Sequence, residues 1–166
     1  KNVPDMLRTA KNLENKIGAF TWKFIGEKID SFSPLVEELQ FQKANIQFID
    51  HISQKELVKE LQKANLLVLF SDYETFGLTT LEAIACGTYV ISTNTGVLNE
   101  LESNSFFSIV DFNNTDDLSN EILKKYNNPP VLDPSKMYDF IKTHFSQETV
   151  ATHFSKLYYK ALKKKS

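Results

Sequence analysis

The chain has 166 residues, 42% hydrophobic and 24% charged, which suits one globular domain able to bury a core unaided. A formal net charge of −2 supplies no broad basic field and argues against general nucleic-acid binding or adhesion to an anionic bilayer. A single cysteine forms no internal disulfide, and no apolar run approaches the ~18 residues that span a bilayer, so a cytoplasmic protein is expected, with peripheral membrane contact left open.

Val3, Leu7, Ala10 and Leu13 share one helical face and Pro4 suits a first turn, so a helix is expected over Lys1 to Leu13. Phe20 to Ile25 alternates, carries aromatics and stops at Gly26, the pattern of a strand. Ser33-Pro34 opens a helix to about Phe41 with Ser33 as its cap, and Asn45 to Ile49 is the next strand. Asp50-His51-Ile52 reads as a loop. Ser53-Gln54-Lys55-Glu56 is a capping box for a helix that turns Leu57, Val58, Leu61 and Ala64 inward.

The apolar run Leu66 to Phe70 has the length and polar borders of a buried strand. A polar loop from Ser71 to Phe76 leads to Gly77, and from Leu78 onward Leu78, Leu81 and Ala85 recur at helical spacing until Gly87. A short strand, Tyr89 to Ser92, follows. Strand, loop, helix and strand form a crossover unit, so the loop carrying Glu74 lies at the carboxyl end of a parallel strand, where open α/β sheets bind ligands. Phe106 to Val110 is a further strand, Asp111-Phe112-Asn113-Asn114 a turn, and Thr115 caps a helix to about Tyr126. Asp133-Pro134 and Ser146 start two more helices, the second ending in Lys163-Lys164-Lys165, which reads as a solvated helix end. About five strands alternating with helices predict a Rossmann-like, doubly wound parallel sheet of the α/β class.

Three of the five glycines, Gly77, Gly87 and Gly96, fall within Leu66 to Glu100, a clustering that points to constrained backbone or close approach. The helix starting at Leu78 offers unpaired N–H groups and a partial positive charge suited to a phosphate. Glu74 and Glu82 bracket this turn. A carboxylate beside a pyrophosphate is repelled, so these two must face hydroxyls, and an ionised Glu accepts from two vicinal hydroxyls at once. Phosphate between two acids that take hydroxyls describes a sugar nucleotide.

The segment ETFGLTTLEAIACGTYVISTNTG closely resembles the signature of the retaining GT-B glycosyltransferases of family 4, the "group 1" family related to glycogen synthases. Its mark is a pair of glutamates with seven residues between them, the spacing of Glu74 and Glu82, and Phe76, Gly77, Leu78, Leu81, Ala83, Ala85, Cys86, Gly87, Val90 and Ile91 also coincide. Thr75 and Tyr89 depart from it. Thr95 to Glu100 resembles the family's G-G-x-P-E segment with Val97 at the second glycine, and Gly26-Glu27-Lys28 keeps only the first glycine of a G-x-G.

The resemblance implies the C-terminal, donor-binding half of a GT-B enzyme, truncated at its N-terminus and lacking the N-terminal acceptor domain. It implies that Glu74, the catalytic residue, contacts the transferred sugar near the reacting carbon, that Glu82 takes the ribose hydroxyls, and that N–H groups near Gly77, Leu78 and Thr79 hold the diphosphate. Phe76 fills the turn, and Ile52 is the candidate for base packing. Lys1 matches the lysine that neutralises the donor pyrophosphate, with a solvated terminus as the other reading. His51 is either a base or phosphate contact or simply solvated. Cys86 reads as a small packing residue. The donor would be a UDP- or GDP-sugar, with no cofactor or metal, and Asp116-Asp117 reads as a helix-dipole partner. The acceptor would be a glycan or lipid presented by the N-terminal domain, as in polysaccharide biosynthesis, and the fragment alone would transfer nothing. A sugar-nucleotide 2-epimerase-type isomerase and a non-catalytic Rossmann-like module are the alternatives.

Overall fold

The computed structural model describes residues 1–101, 105–112 and 114–163, so Asn113 of the expected turn and Lys164 and Lys165 lie outside the described residues. Helix α1, Val3–Ile17, has Asn2 as its N-cap, accepting the Asp5 N–H at 3.4 Å, and Pro4 in its first turn. It buries Val3, Met6, Leu7, Ala10 and Leu13. The helix outruns its expected end at Leu13 and stops before Gly18, its C-cap at φ 80°, and Glu14 is buried too. Glu14 Oε2 accepts the backbone N–H groups of Gln42, Lys43 and Ala44 at 3.0, 2.9 and 3.0 Å.

Five strands follow the expected positions to within a residue: β1 Phe20–Ile25, β2 Ala44–Ile49, β3 Leu66–Leu69, β4 Tyr89–Thr93 and β5 Phe107–Val110. Between them run α2 Ser33–Leu39, α3 Gln54–Lys63 and α4 Leu78–Ala85, and after them α5 Thr115–Asn127, α6 Pro134–Phe145 and α7 Gln147–Lys163. The capping box of α3 closes both ways: Glu56 N–H donates to Ser53 Oγ at 3.3 Å and Ser53 N–H to Glu56 Oε2 at 2.9 Å. Three local expectations need correction. Phe32, which makes no side-chain cap bond, precedes α2 in place of Ser33. Asn114 caps α5 in place of Thr115, accepting the Asp117 N–H at 3.0 Å, because an amide oxygen one residue earlier reaches the third helical N–H. Ala64 ends α3 as an exposed C-cap, so its methyl does not face inward.

Every strand pairing is parallel, as expected for this fold class, yet the hydrogen bonds divide the strands into a pair, β1-β2, and a triplet, β3-β4-β5. Successive residues of β4 point to opposite faces, and each face meets its own helices. Tyr89 and Ile91 join Phe24, Phe70 and the buried faces of α1 and α5, whereas Val90 joins Leu61, Ala83, Ile84 and Met137 from α3, α4 and α6. Helices therefore cover both faces, the doubly wound arrangement. Asn2 N–H donates to Phe70 O at 2.9 Å, which sets the start of the chain beside the carboxyl end of β3. Among the described residues no helix is long and apolar enough to cross a membrane.

Candidate functional site

The carboxyl ends of β3 and β4 are locked together just before the loop of interest. Buried Ser71 donates its N–H to Thr93 Oγ1 at 3.3 Å, and Thr93 Oγ1 donates back to Ser71 O at 2.6 Å. From this anchor Ser71 Oγ reaches Glu74 Oε1 at 3.0 Å, tying the half-buried Glu74 to the strand end.

Gly77 then turns the chain into α4 at φ 83°, a left-handed conformation that side-chain-bearing residues rarely adopt. Its carbonyl accepts both Thr80 N–H and Thr80 Oγ1, at 3.0 and 2.6 Å. From the other side a short 3-10 turn, Gly96–Asn99, clamps the preceding residue: Val97 N–H donates to Phe76 O at 2.8 Å. A Cβ on Gly96 would stand 2.6 Å from that same carbonyl oxygen, so the close approach is possible only for glycine. The Phe76 ring, 44% exposed, rests edge-on against Phe145 of α6, centroids 6.3 Å apart. Among the described residues the N–H groups of Leu78 and Thr79, at the first two helical positions, donate to no partner, as the opening turn of a helix dictates.

Glu82 lies one turn further along α4, half-buried, and its Oε1 accepts from Gln54 Nε2 of α3 at 2.7 Å. Four residues on, Cys86 is the C-cap of α4 rather than a residue of its face, and it packs at the edge of the core formed by α3, α4 and α6. Burial, and secondarily the Glu82 charge, push its thiol pKa up, which disfavours the thiolate and agrees with a packing role.

Within each sheet the strands run parallel, and the expected site residues follow the carboxyl ends of β2 and β3 or, for Lys1, lie beside the end of β3. Lys1 is exposed beside the end of β3 through the Asn2–Phe70 bond. Half-buried Ile52 and exposed His51 follow β2, with the His51 ring 3.4 Å from where a Cβ on Gly26 would stand at the end of β1. Leu78 is 63% exposed and Thr79 half-buried at the mouth of α4. Ser71, Thr93 and Gln54 complete the arrangement and were not foreseen as site residues. Ser71 stands directly after a buried strand, and Gln54 holds the first position of a helix already capped by its neighbour, so each had a side chain free to reach elsewhere.

The protein-family model described as glycosyl transferases group 1 matches residues 1–143. An uncharacterized glycosyltransferase of Methanocaldococcus jannaschii is 30% identical over 137 residues, covering 77% of this chain and 35% of that protein. Among solved structures, the sucrose-phosphate synthase from Thermosynechococcus elongatus superposes with a TM-score of 0.77 at 22% identity, over 98% of this chain and 42% of its own. The pneumococcal O-GlcNAc transferase GtfA, solved in complex with UDP and GlcNAc, gives 0.69 at 17% identity, over 98% of this chain and 33% of its own. The chain spans less than half the length of each of these three. The shared fold is the Rossmann-like half of a GT-B glycosyltransferase.

Proposed function

Because this chain belongs to the group 1 glycosyl transferases, we propose that it is the donor-binding half of a retaining, family 4 enzyme that moves a hexosyl unit from a nucleoside-diphosphate sugar to a glycan or lipid. The observation that carries this reading is the Gly77 turn. Two carboxylates, each oriented by one side-chain donor, flank a helix start whose first N–H groups have no partner among the described residues.

In this reading the N–H groups near Gly77, Leu78 and Thr79 hold the diphosphate, and Glu82 accepts from the ribose hydroxyls. Glu74 contacts the hexose beside the reacting carbon, and Ile52 packs on the base. As the bond from the anomeric carbon to the diphosphate breaks, negative charge grows on the leaving oxygens. Fixed main-chain donors and the positive end of α4 stabilise that charge without reorganising, so the chemistry needs no metal. Lys1 adds a positive charge on the β3 side of the same edge. The donor is a UDP- or GDP-sugar; UDP accompanies GlcNAc in the related GtfA structure.

The domain boundary belongs to the same proposal. β1 and β3 each pair on one edge only, and Asn2 N–H already sits at the end of β3. One parallel strand leading into α1 would fit between them and give the order β2, β1, added strand, β3, β4, β5, which is the doubly wound dinucleotide-binding order with its ligand crevice at the reversal point. The acceptor site would lie on an N-terminal domain outside this chain, and the enzyme would work in the cytoplasm. The apolar residues Phe154, Leu157, Tyr158 and Leu162, all exposed on α7, suit contact with that domain or peripheral contact with a membrane.

Calorimetric titration with UDP-, GDP- and ADP-sugars tests the reading. One of these nucleotides should bind, and Glu82→Ala should weaken it about 10- to 100-fold, the loss expected for hydrogen bonds to a charged group. Unchanged affinity in the variant would remove the ribose from Glu82.

A further inference from the structure

We propose that Gln54 is a positioning residue for the ribose-binding carboxylate: it holds Glu82 Oε1 in place before the nucleotide arrives and leaves Oε2 to accept from the ligand. The inference deepens the donor-site reading and rests on it. Gln54 Nε2 donates to Glu82 Oε1 at 2.7 Å, joining residues 28 positions apart on two different helices. An ionised Glu only accepts, so the amide nitrogen, not its oxygen, must face the carboxylate. No other hydrogen bond reaches the Glu82 carboxylate among the described residues.

Three features suggest that this contact serves the ligand rather than the fold. Helix α3 does not need Gln54 as a cap, because Ser53 and Glu56 already satisfy its start. Gln54 is exposed and Glu82 half-buried, so water competes for their bond and its worth to stability is small. The choice of donor is also telling. Lysine or arginine here would neutralise Glu82 and occupy the oxygens that hydroxyls need, whereas a neutral amide fixes the carboxylate and leaves its charge intact. The bond further links the two walls of the crevice. Gln54 stands two residues after the loop Asp50 to Ile52, and Glu82 stands one turn behind Gly77. Base-side and phosphate-side elements therefore meet at the residue proposed to read the sugar between them.

A glutamate has three rotatable bonds, and ordering such a side chain at the moment of binding costs affinity. Titration of the 166-residue chain with UDP should accordingly show Gln54→Ala binding about three- to tenfold more weakly, with the unfolding temperature unchanged. In a Glu82→Gln background the same substitution should add less than about a twofold change, since the carboxylate it acts through is gone. 2′,3′-Dideoxy-UDP, which lacks the hydroxyls, should bind wild type and Gln54→Ala alike. No loss for UDP, the same loss for both nucleotides, or full additivity with Glu82→Gln would each overturn the inference. If Glu82→Gln weakens UDP binding while Gln54→Ala does not, only the positioning role falls. If Glu82→Gln has no effect, or the wild-type chain binds neither UDP nor GDP, the ribose reading falls and this inference falls with it.

Discussion

β4 lies between two hydrogen-bonded neighbours and buries all five of its residues, whereas β1, paired only with β2, fully buries Phe24 alone. β3 resembles β1 more than its own partner: Leu66, Leu67 and Val68 are half-buried and only Leu69 is buried. Residues from both half-covered strands pack into one core beneath α1. Cover in this domain thus follows strand pairing rather than apolar content, since β3 is wholly aliphatic and still half open. The shortfall runs through the whole pair, since β2 has no fully buried residue, and reaches β3, the strand of the triplet beside which the proposed strand preceding α1 would enter.

The largest expected effect tests that contrast directly. Ile91 of β4 is 0% exposed and its truncation leaves a cavity the surroundings only partly fill, so Ile91→Ala should cost about 2–5 kcal/mol in urea unfolding. Ile46 of β2 is half-buried in the open pair, and Ile46→Ala should cost less than half as much, because water already covers part of the side chain. Equal losses would show that the pair packs as tightly as the triplet and would break the comparison.

Two left-handed glycines provide a finer version of the same contrast. Gly18, between α1 and β1, has φ 80° with nothing within 4 Å of an added Cβ, while Gly96 has φ 59° with the Phe76 carbonyl oxygen at 2.6 Å. Alanine at either site incurs the left-handed strain of about 1–3 kcal/mol. At Gly96 it must also displace the Phe76 carbonyl that Val97 holds, and with it the turn at Gly77. Gly18→Ala should therefore lower the unfolding temperature and leave UDP affinity intact, whereas Gly96→Ala should lose both. A Gly96→Ala variant that binds UDP normally would show that the turn tolerates movement of its clamp.

Periodicity and punctuation made most of this architecture readable in advance. The strands, the capping box at Ser53 and the turn at Gly77 each rest on residues adjacent in sequence, where local chemistry decides the outcome. What escaped the reading depends on partners far along the chain. Nothing in Phe20 to Ile25 or Leu66 to Phe70 states which strand each will pair with, so the division into pair and triplet was invisible. The caps at Phe32 and Asn114 differ from Ser33 and Thr115 by one residue, a choice made by how the preceding chain enters the helix. Gln54 and Ser71 were missed because their partners, Glu82 and Thr93, lie 28 and 22 residues away. Glu14 was missed for the same reason: at the end of an amphipathic helix it reads as a solvated acid, and its burial becomes apparent only when the chain returns at Gln42.

Glu14 also supplies the mildest test, one that is silent at neutral pH. It anchors the start of β2, and hence the pair, to α1 through three backbone N–H groups on one carboxylate oxygen. The ammonium of Lys11 and the N–H groups of Ala44, Lys43 and Gln42 outweigh burial and hold its pKa at about 2, against 4.5 for an unperturbed Glu. A folded-state pKa below the unfolded one means that the unfolded chain binds the proton more readily. The stabilisation is therefore complete above pH 4.5 and is lost progressively as pH falls from 4.5 towards 2. Amide exchange followed by NMR between pH 5 and pH 3 should show protection in β1 and β2 declining before that in β4, because the acid titrates the tether of the pair and leaves the triplet's apolar core untouched. In Glu14→Gln, which has no proton to take up, protection in the pair should be lower at pH 5 and flat across the same interval. Simultaneous loss in all three strands would instead make the domain a single cooperative unit, in which the open junction between pair and triplet carries no energetic weakness of its own.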